Sequence, residues 1–338
     1  MRLFCNEQEL DPWGMEWFPK EVLPGFRKFI HAKYATDAAL RTAWTDAKNH
    51  NGLPDGETRE TVTADRFWGD SPRSRDIGFY IHQAETDLLA WYETTIRAMG
   101  FRGITSQFDC GMRYRNIQVR SSLKAVSIHG YGAPIGGSRW ITKGGTQSQN
   151  SSIGAPDVYC DLLFFRYTAD SRFLDRPLLV TEYDLEFWNK FRHERGLGMT
   201  GYAALQDYDA LIPHAHPVLL SIDRPAVTSF FFGADPIGRA MEVVCGLLFV
   251  RRDVTPAKSK VAIRTDEKFI FDEGRSGGGL MWEKEQDRLA LVIGFGVATT
   301  DRAGVVHGVP PGTIGRLLFR GFGLSIRDRD LVMHPAGE

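Results

Sequence analysis

Residues 177–184 constrain the fold of this chain more than any other stretch, because they read Pro-Leu-Leu-Val-Thr-Glu-Tyr-Asp. The segment from Leu178 to Val180 is continuously apolar instead of alternating, as is typical of a parallel strand that is covered on both faces. It leads directly towards an acid, Glu182. In parallel α/β folds, residues at the carboxyl ends of such strands carry the chemistry. The stretch therefore predicts a buried parallel strand that ends at a functional carboxylate.

A second acid follows a shorter apolar segment at residues 3–5, where Asn6 and Glu7 come next. Two glutamates at strand ends predict a pair of catalytic carboxyl groups, which is what glycoside hydrolysis requires. Each acid also has a structural alternative. Glu182 could pair with a nearby arginine, Arg176 or Arg192, because a carboxylate behind a buried strand is costly to desolvate unless it is used or paired. Glu7 could be an exposed acid among others.

Strands and helices alternate along the chain as far as residue 257, which predicts βαβ units and a parallel sheet. We expect strands near residues 3, 103, 126, 179 and 216, and helices over 19–49, 77–99, 157–167, 200–211 and 236–251. Short apolar runs broken by Gly, Asp and Arg follow. They predict one domain over 1–257 and a small β-rich region over 258–338. Five strands are fewer than the eight of a closed (β/α)8 barrel.

The composition argues against several partners. A net charge of −1 gives neither nucleic acid nor an anionic membrane a concentrated basic face. No apolar run approaches the roughly 20 residues that span a bilayer. The N-terminal residues show no signal-peptide pattern, and the four cysteines are scattered without a CxxC pair, so we expect a cytoplasmic protein. His214 and His216 alternate on a strand but lack an acid partner, so no metal is expected.

With these residues identified, the chain resembles the clan of (β/α)8 retaining glycoside hydrolases that includes the cellulases and the β-galactosidases. Residues 6–7 (Asn-Glu) resemble the pair that ends the fourth barrel strand of that clan. Residues 129–131 (His-Gly-Tyr) are similar to the end of the sixth strand, and residues 181–182 (Thr-Glu) to the end of the seventh. The resemblance covers roughly residues 1–257. It implies an incomplete TIM-type barrel that begins at the fourth strand and holds strands four to eight.

The resemblance also implies roles for the two acids. Glu182 would be the nucleophile of a double displacement, and Glu7 the acid/base catalyst, with the two carboxyl groups about 5–5.5 Å apart. Asn6 would bind the sugar hydroxyl next to the anomeric carbon. No cofactor is implied.

Five further residues are expected to bind substrate at the same end of the strands. Tyr131 could donate a hydrogen bond to Glu182, and His129 could orient that network; the alternative is that both rings only close the end of the sheet. Two tryptophans lie in stretches expected to be loops and could stack on sugar rings. The set is His129, Tyr131, Trp140, Trp188 and His214.

The sequence therefore predicts a retaining glycoside hydrolase that cleaves O-glycosidic bonds of an oligo- or polysaccharide. The alternative is an inactive barrel remnant that binds carbohydrate or serves as an assembly module. An exposed edge of a parallel sheet is prone to association. We therefore expect a homo-oligomer, or a partner chain that completes the barrel.

Overall fold

The computed structural model describes residues 2–3, 22–45, 53–63, 71–107, 109, 119–131, 153, 163–185, 189–214, 235–258, 260–264, 290–298 and 331–334. The chain forms two compact units. The first comprises Met1–Leu123, Thr265–Met281 and Thr299–Asp301, and the second comprises Lys124–Arg264, Trp282–Ala298 and Arg302–Glu338. The expected division after residue 257 stays a prediction.

In the described part of the chain, the first unit contains helices and a short pair of strands. Its elements are β1 (Arg2–Leu3), α1 (Leu23–Lys33), α2 (Asp37–Ala43), α3 (Pro72–Ala98) and β2 (Thr105–Ser106). Strand β1 pairs with β2 in parallel. The side chains of Thr36 and Ser71 accept hydrogen bonds from main-chain N–H groups in the first turns of α2 and α3, which fixes where both helices begin. Gly100 follows α3 with a φ of 88°, in the left-handed region that favours glycine, and it ends the helix as expected.

A buried carboxylate organises the core of this unit. Asp76 on α3 is 4% exposed, and it accepts hydrogen bonds from Lys33, from the Tyr34 hydroxyl and from the Trp44 indole. Burial and the neighbouring Asp76 carboxylate raise the pKa of Tyr34 well above its ordinary value. Charge and hydrogen-bond donors are thus matched inside the helical core, as a buried carboxylate requires.

Where the structure describes the second unit, three parallel strands form one sheet, with helices between them. The elements are β3 (Val126–Tyr131), α4 (Leu163–Ser171), β4 (Leu178–Asp184), α5 (Thr200–Leu205), β5 (Ala210–Pro213) and α6 (Pro236–Cys245). A π-helical segment, Arg195–Met199, precedes α5, and another, Gly246–Val250, extends α6. The strand order is β3-β4-β5, so β4 is central and pairs in parallel on both sides. The expected mixed α/β fold with a parallel sheet is confirmed.

Several boundaries differ from those expected. The helix expected over 200–211 ends at Leu205, because Asp207 adopts the left-handed conformation with φ of 59° and turns the chain. Strand β5 spans Ala210–Pro213, earlier in the chain than the strand expected near residue 216, which itself lies outside the described residues, and His214 comes just after β5. The strand expected near residue 103 is observed at Thr105–Ser106. The helix expected over 157–167 extends to Ser171, and residues 157–162 lie outside the described residues.

A second sheet is formed by three strands from the C-terminal part of the chain. They are β6 (Lys260–Arg264), β7 (Gly294–Ala298) and β8 (Leu331–His334), in the order β7-β6-β8, with β6 parallel to β7 and antiparallel to β8. The buried amide of Gln206, just after α5, donates to the carbonyl oxygens of Ala290 and Ile293 and accepts from the N–H of Phe295. One side chain thus satisfies three main-chain groups, two just before β7 and one within it.

Candidate functional site

Four side chains meet at the carboxyl ends of strands β3, β4 and β5. Glu182 lies near the end of the central strand β4, His129 and Tyr131 lie on β3, and His214 immediately follows β5. The Tyr131 hydroxyl donates a hydrogen bond of 2.7 Å to Glu182 Oε2. His129 Nε2 lies 3.5 Å from Glu182 Oε1, and His214 Nδ1 lies 3.8 Å from Oε2. The hydrogen bond expected between Tyr131 and Glu182 is therefore present.

The Glu182 side chain is 15% exposed and that of His129 is 4% exposed, whereas His214 is 35% exposed and borders the open side of the group. The Tyr131 and His214 rings are perpendicular, with centroids 6.5 Å apart. A phenol and two imidazoles thus surround a carboxylate that retains limited access to solvent. Such a carboxylate can act as a nucleophile or as a base.

Within the described part of the chain, no lysine or arginine forms an ion pair with Glu182. The two arginines that could have neutralised it have other carboxylates as partners. Arg176 binds Asp175, its neighbour in sequence, and Arg192 binds Asp235 through two nitrogens. The structural alternative for Glu182, an ion pair with one of these arginines, is therefore not observed.

A second acid on the same strand behaves differently. Asp184 is 1% exposed and forms an ion pair of 3.2 Å with Arg195, which is itself 2% exposed. Arg195 also donates to the carbonyl oxygen of Gly238, at the start of α6. The Asp184–Arg195 pair therefore links β4 to the start of α6. Glu182 is the acid of β4 that faces histidines and a tyrosine.

Arg192 fixes the N-terminus of α6. Burial alone would raise the pKa of Asp235, but the guanidinium of Arg192 and the main-chain N–H groups of Ile237 and Gly238 hold that pKa below its ordinary value. Asp235 is also the residue that caps α6, since Oδ1 accepts a hydrogen bond from the N–H of Ile237. The expected helix start at residues 235–236 is thus confirmed.

Tyr183 points away from Glu182, into the layer between the sheet and its helices. Its hydroxyl lies 3.3 Å from Cys245 Sγ, which in turn lies 2.9 Å from Thr200 Oγ1. Burial, and then the neighbouring Cys245, raise the pKa of Tyr183 far above the ordinary value for tyrosine. Tyr183 is therefore a neutral core residue, and the group around Glu182 is confined to one face of β4.

The remaining site residues expected from the sequence are Asn6, Glu7, Trp140 and Trp188, and His216 was considered as a metal ligand. All five lie outside the described residues, so their roles stay predictions. Where the structure describes side chains, no group of three or more His, Cys, Asp or Glu is placed to hold a metal ion. The described helices also include none that is long and apolar enough to cross a membrane.

The sequence did not reveal how Glu182 reaches this face of the sheet. Val180 lies opposite Ile128 in the β3–β4 pair, and Glu182, two residues later, lies opposite His129, the very next residue of β3. Thr181 is therefore an extra residue, and β4 contains a β-bulge beside the candidate acid.

Comparison with known proteins gives a distant structural likeness. A polyextremophilic β-galactosidase from the Antarctic haloarchaeon Halorubrum lacusprofundi is 14% identical to this chain, with a TM-score of 0.49. The likeness covers 81% of this chain and 43% of the β-galactosidase, so the chain spans less than half the length of that protein. No family model and no curated protein matches the sequence. A likeness of this size carries no functional assignment, so the geometry around Glu182 has to carry it.

Proposed function

We propose that the chain forms part of a (β/α)8-type retaining glycoside hydrolase and cleaves O-glycosidic bonds of an oligo- or polysaccharide. The observation that carries the proposal is the Glu182 carboxylate, which lies near the end of the central parallel strand and accepts a hydrogen bond from Tyr131. A mostly buried carboxylate without a lysine or arginine partner among the described residues is costly to keep. Its position at the functional end of a parallel sheet favours a chemical role.

In the proposed reaction, Glu182 attacks the anomeric carbon as the bond from that carbon to the leaving oxygen breaks. An acid protonates the leaving oxygen, and the same group, now a base, takes a proton from the water that releases the sugar. Because Tyr131 binds Oε2, Oε1 is the atom we assign to the attack. Glu7 is the proposed acid/base on the strength of the resemblance alone.

Replacing Glu182 tests the nucleophile. We expect Glu182→Gln to abolish hydrolysis of a panel of aryl glycosides, because an amide cannot form the glycosyl ester. A 2-deoxy-2-fluoro glycoside with a good leaving group should label the peptide that carries Glu182, as read by mass spectrometry. The matched control is Glu242→Gln, a glutamate of α6 outside the candidate site. Wild-type turnover in Glu182→Gln would remove the nucleophile assignment.

Replacing Glu7 tests the second acid. For Glu7→Gln we expect a much larger loss of rate with substrates whose leaving groups need protonation than with dinitrophenyl glycosides, which depart unaided. Equal losses for both substrates would contradict the assignment. If the unmodified protein hydrolyses no glycoside and yet binds oligosaccharides in calorimetry, the alternative of a carbohydrate-binding module replaces the enzyme.

The expected partners and location are also proposals. A homo-oligomer, or a partner chain that supplies further strands, would enclose the edge of the sheet. Light scattering after size-exclusion chromatography distinguishes an oligomer from a monomer. Fractionation of the source cells tests the cytoplasmic location.

A further inference from the structure

The β3–β4 pair changes register just before Glu182. Val180 lies opposite Ile128, and Glu182 lies opposite His129. Two residues of β4, Thr181 and Glu182, therefore face a single residue of β3. Such a bulge bends the strand and changes the direction of the side chains that follow it.

Close packing identifies the face of β3 that contacts α4. A Cβ atom added to Gly130 would lie 2.9 Å from Phe164 and 2.9 Å from Thr168, which are both residues of α4. Gly130 therefore faces this helix. Because side chains alternate along a strand, His129 and Tyr131 lie on the opposite face, where Glu182 meets them.

Because of the extra residue, the residues of β4 after the bulge point to the same sides of the sheet as their partners in β3. Tyr183 lies opposite Gly130, and its ring packs against Phe164 of α4 with the ring centroids 6.4 Å apart. Tyr183 therefore faces α4. Val180 pairs with Ile128, which belongs to the face of Gly130. In a regular strand, Glu182 would share the face of Val180 and point towards α4, because a shift of one residue reverses every side chain.

We infer that Thr181 is a positioning residue, which holds the bulge that directs Glu182 towards His129 and Tyr131. The Thr181 hydroxyl oxygen lies 3.4 Å from the carbonyl oxygen of Ile128, to which it donates a long hydrogen bond. This contact spans the ladder at the point where the bulge interrupts it. The catalytic consequence rests on the proposed function, whereas the placement of Glu182 does not.

Three substitutions separate the hydroxyl from the shape of the side chain. Thr181→Val keeps the branched shape and removes the donor, Thr181→Ser keeps the donor, and Glu182→Gln serves as the reference for a lost carboxylate. The readout is the set of ring signals of His129 and His214 in NMR spectra of protein labelled with ¹⁵N-histidine. Both rings lie within 4 Å of the carboxylate and report its position.

We expect Thr181→Val to shift the His129 and His214 signals towards those of Glu182→Gln, and Thr181→Ser to restore them. If the chain is a glycosidase, Thr181→Val should also lower kcat about 10- to 100-fold with little change in KM, since a displacement of about 1 Å costs on that order. Wild-type histidine signals in Thr181→Val would overturn the inference. That result can be obtained whether or not the protein hydrolyses glycosides.

Deleting Thr181 tests the register directly. The shortened strand can pair regularly, with Glu182 next after Val180 and still opposite His129. We therefore expect the deletion to leave the histidine signals near those of the wild type. Signals like those of Glu182→Gln would show that the register argument is wrong. If the deletion variant does not fold, the valine and serine variants still decide the question.

Discussion

Replacing Glu182 with glutamine should stabilise the folded protein, although it should destroy the proposed activity. A mostly buried functional carboxylate lowers the stability of the folded protein, because removing its charge from water costs free energy. A neutral side chain of the same shape avoids most of this desolvation cost. A structural carboxylate behaves in the opposite way, because its loss leaves a buried cation without a counter-ion.

The contacts of Glu182 set the size of the effect. Its side chain is 15% exposed, and its one hydrogen bond among the described residues comes from Tyr131 at 2.7 Å. Burying a carboxylate costs several kcal/mol, of which a hydrogen bond to a charged group returns about 1.5–3 kcal/mol. A glutamine costs about 1–3 kcal/mol to bury and keeps a neutral hydrogen bond of about 1 kcal/mol. The difference favours the variant by about 1 kcal/mol.

Equilibrium unfolding in urea, followed by circular dichroism, measures this difference, and calorimetry should show a rise in Tm of about 2–4 °C for a unit of roughly 150–250 residues. The matched control is Asp184→Asn on the same strand, which breaks the buried pair with Arg195 and should cost about 3–5 kcal/mol. A loss of 1 kcal/mol or more in Glu182→Gln would refute the reasoning, because it would mean that Glu182 is held for stability.

Three further predictions concern the second unit. Because the pKa of Asp235 lies below its ordinary value, the stabilisation from Arg192 is present above pH ~4 and is lost as pH falls through the pKa of the folded state. Urea unfolding of Arg192→Gln at pH 7 and pH 3 should therefore show a deficit at pH 7 that shrinks at pH 3. The raised pKa of Tyr183 implies a stability that falls as pH rises above ~10, and Tyr183→Phe should weaken this alkaline loss in thermal melts. At Asp207, with φ of 59°, Asp207→Gly should be about 1 kcal/mol more stable than Asp207→Ala, since both lose the ion pair with Arg252 and glycine alone relieves the left-handed backbone.

Local patterns predicted β3 and β4 and the approximate positions of several helices. The apolar runs near residues 126 and 179 predicted two neighbouring strands of one parallel sheet, whereas its third strand was expected near residue 216 and is observed at Ala210–Pro213. The pair at 235–236 predicted the start of α6, because Asp and Pro act there through contacts within a few residues. Helix ends were harder, since Asp207 occupies a left-handed position that usually indicates glycine.

The site could be predicted in part for the same reason. Glu182, His129, Tyr131 and His214 were recognisable as residues at strand ends, and parallel strands bring their carboxyl ends to one edge. The bulge at Thr181 depends on how two strands separated by about fifty residues align, and no residue near it signals the extra position. Partner choice was equally non-local, because Arg192 pairs with Asp235 across 43 positions of sequence.

The buried amide of Gln206 has a consequence for the synthesis of this chain. Its first main-chain acceptor, the carbonyl oxygen of Ala290, lies 84 residues further along the sequence. At about 5–20 residues per second, a ribosome needs roughly 4–17 seconds to supply those residues. During that interval the Gln206 side chain cannot form its three hydrogen bonds with residues 290–295, so water or a chaperone has to take their place. The part of the sheet that carries Glu182 can therefore emerge early, but it acquires its final packing only when the strands near the C-terminus have been made.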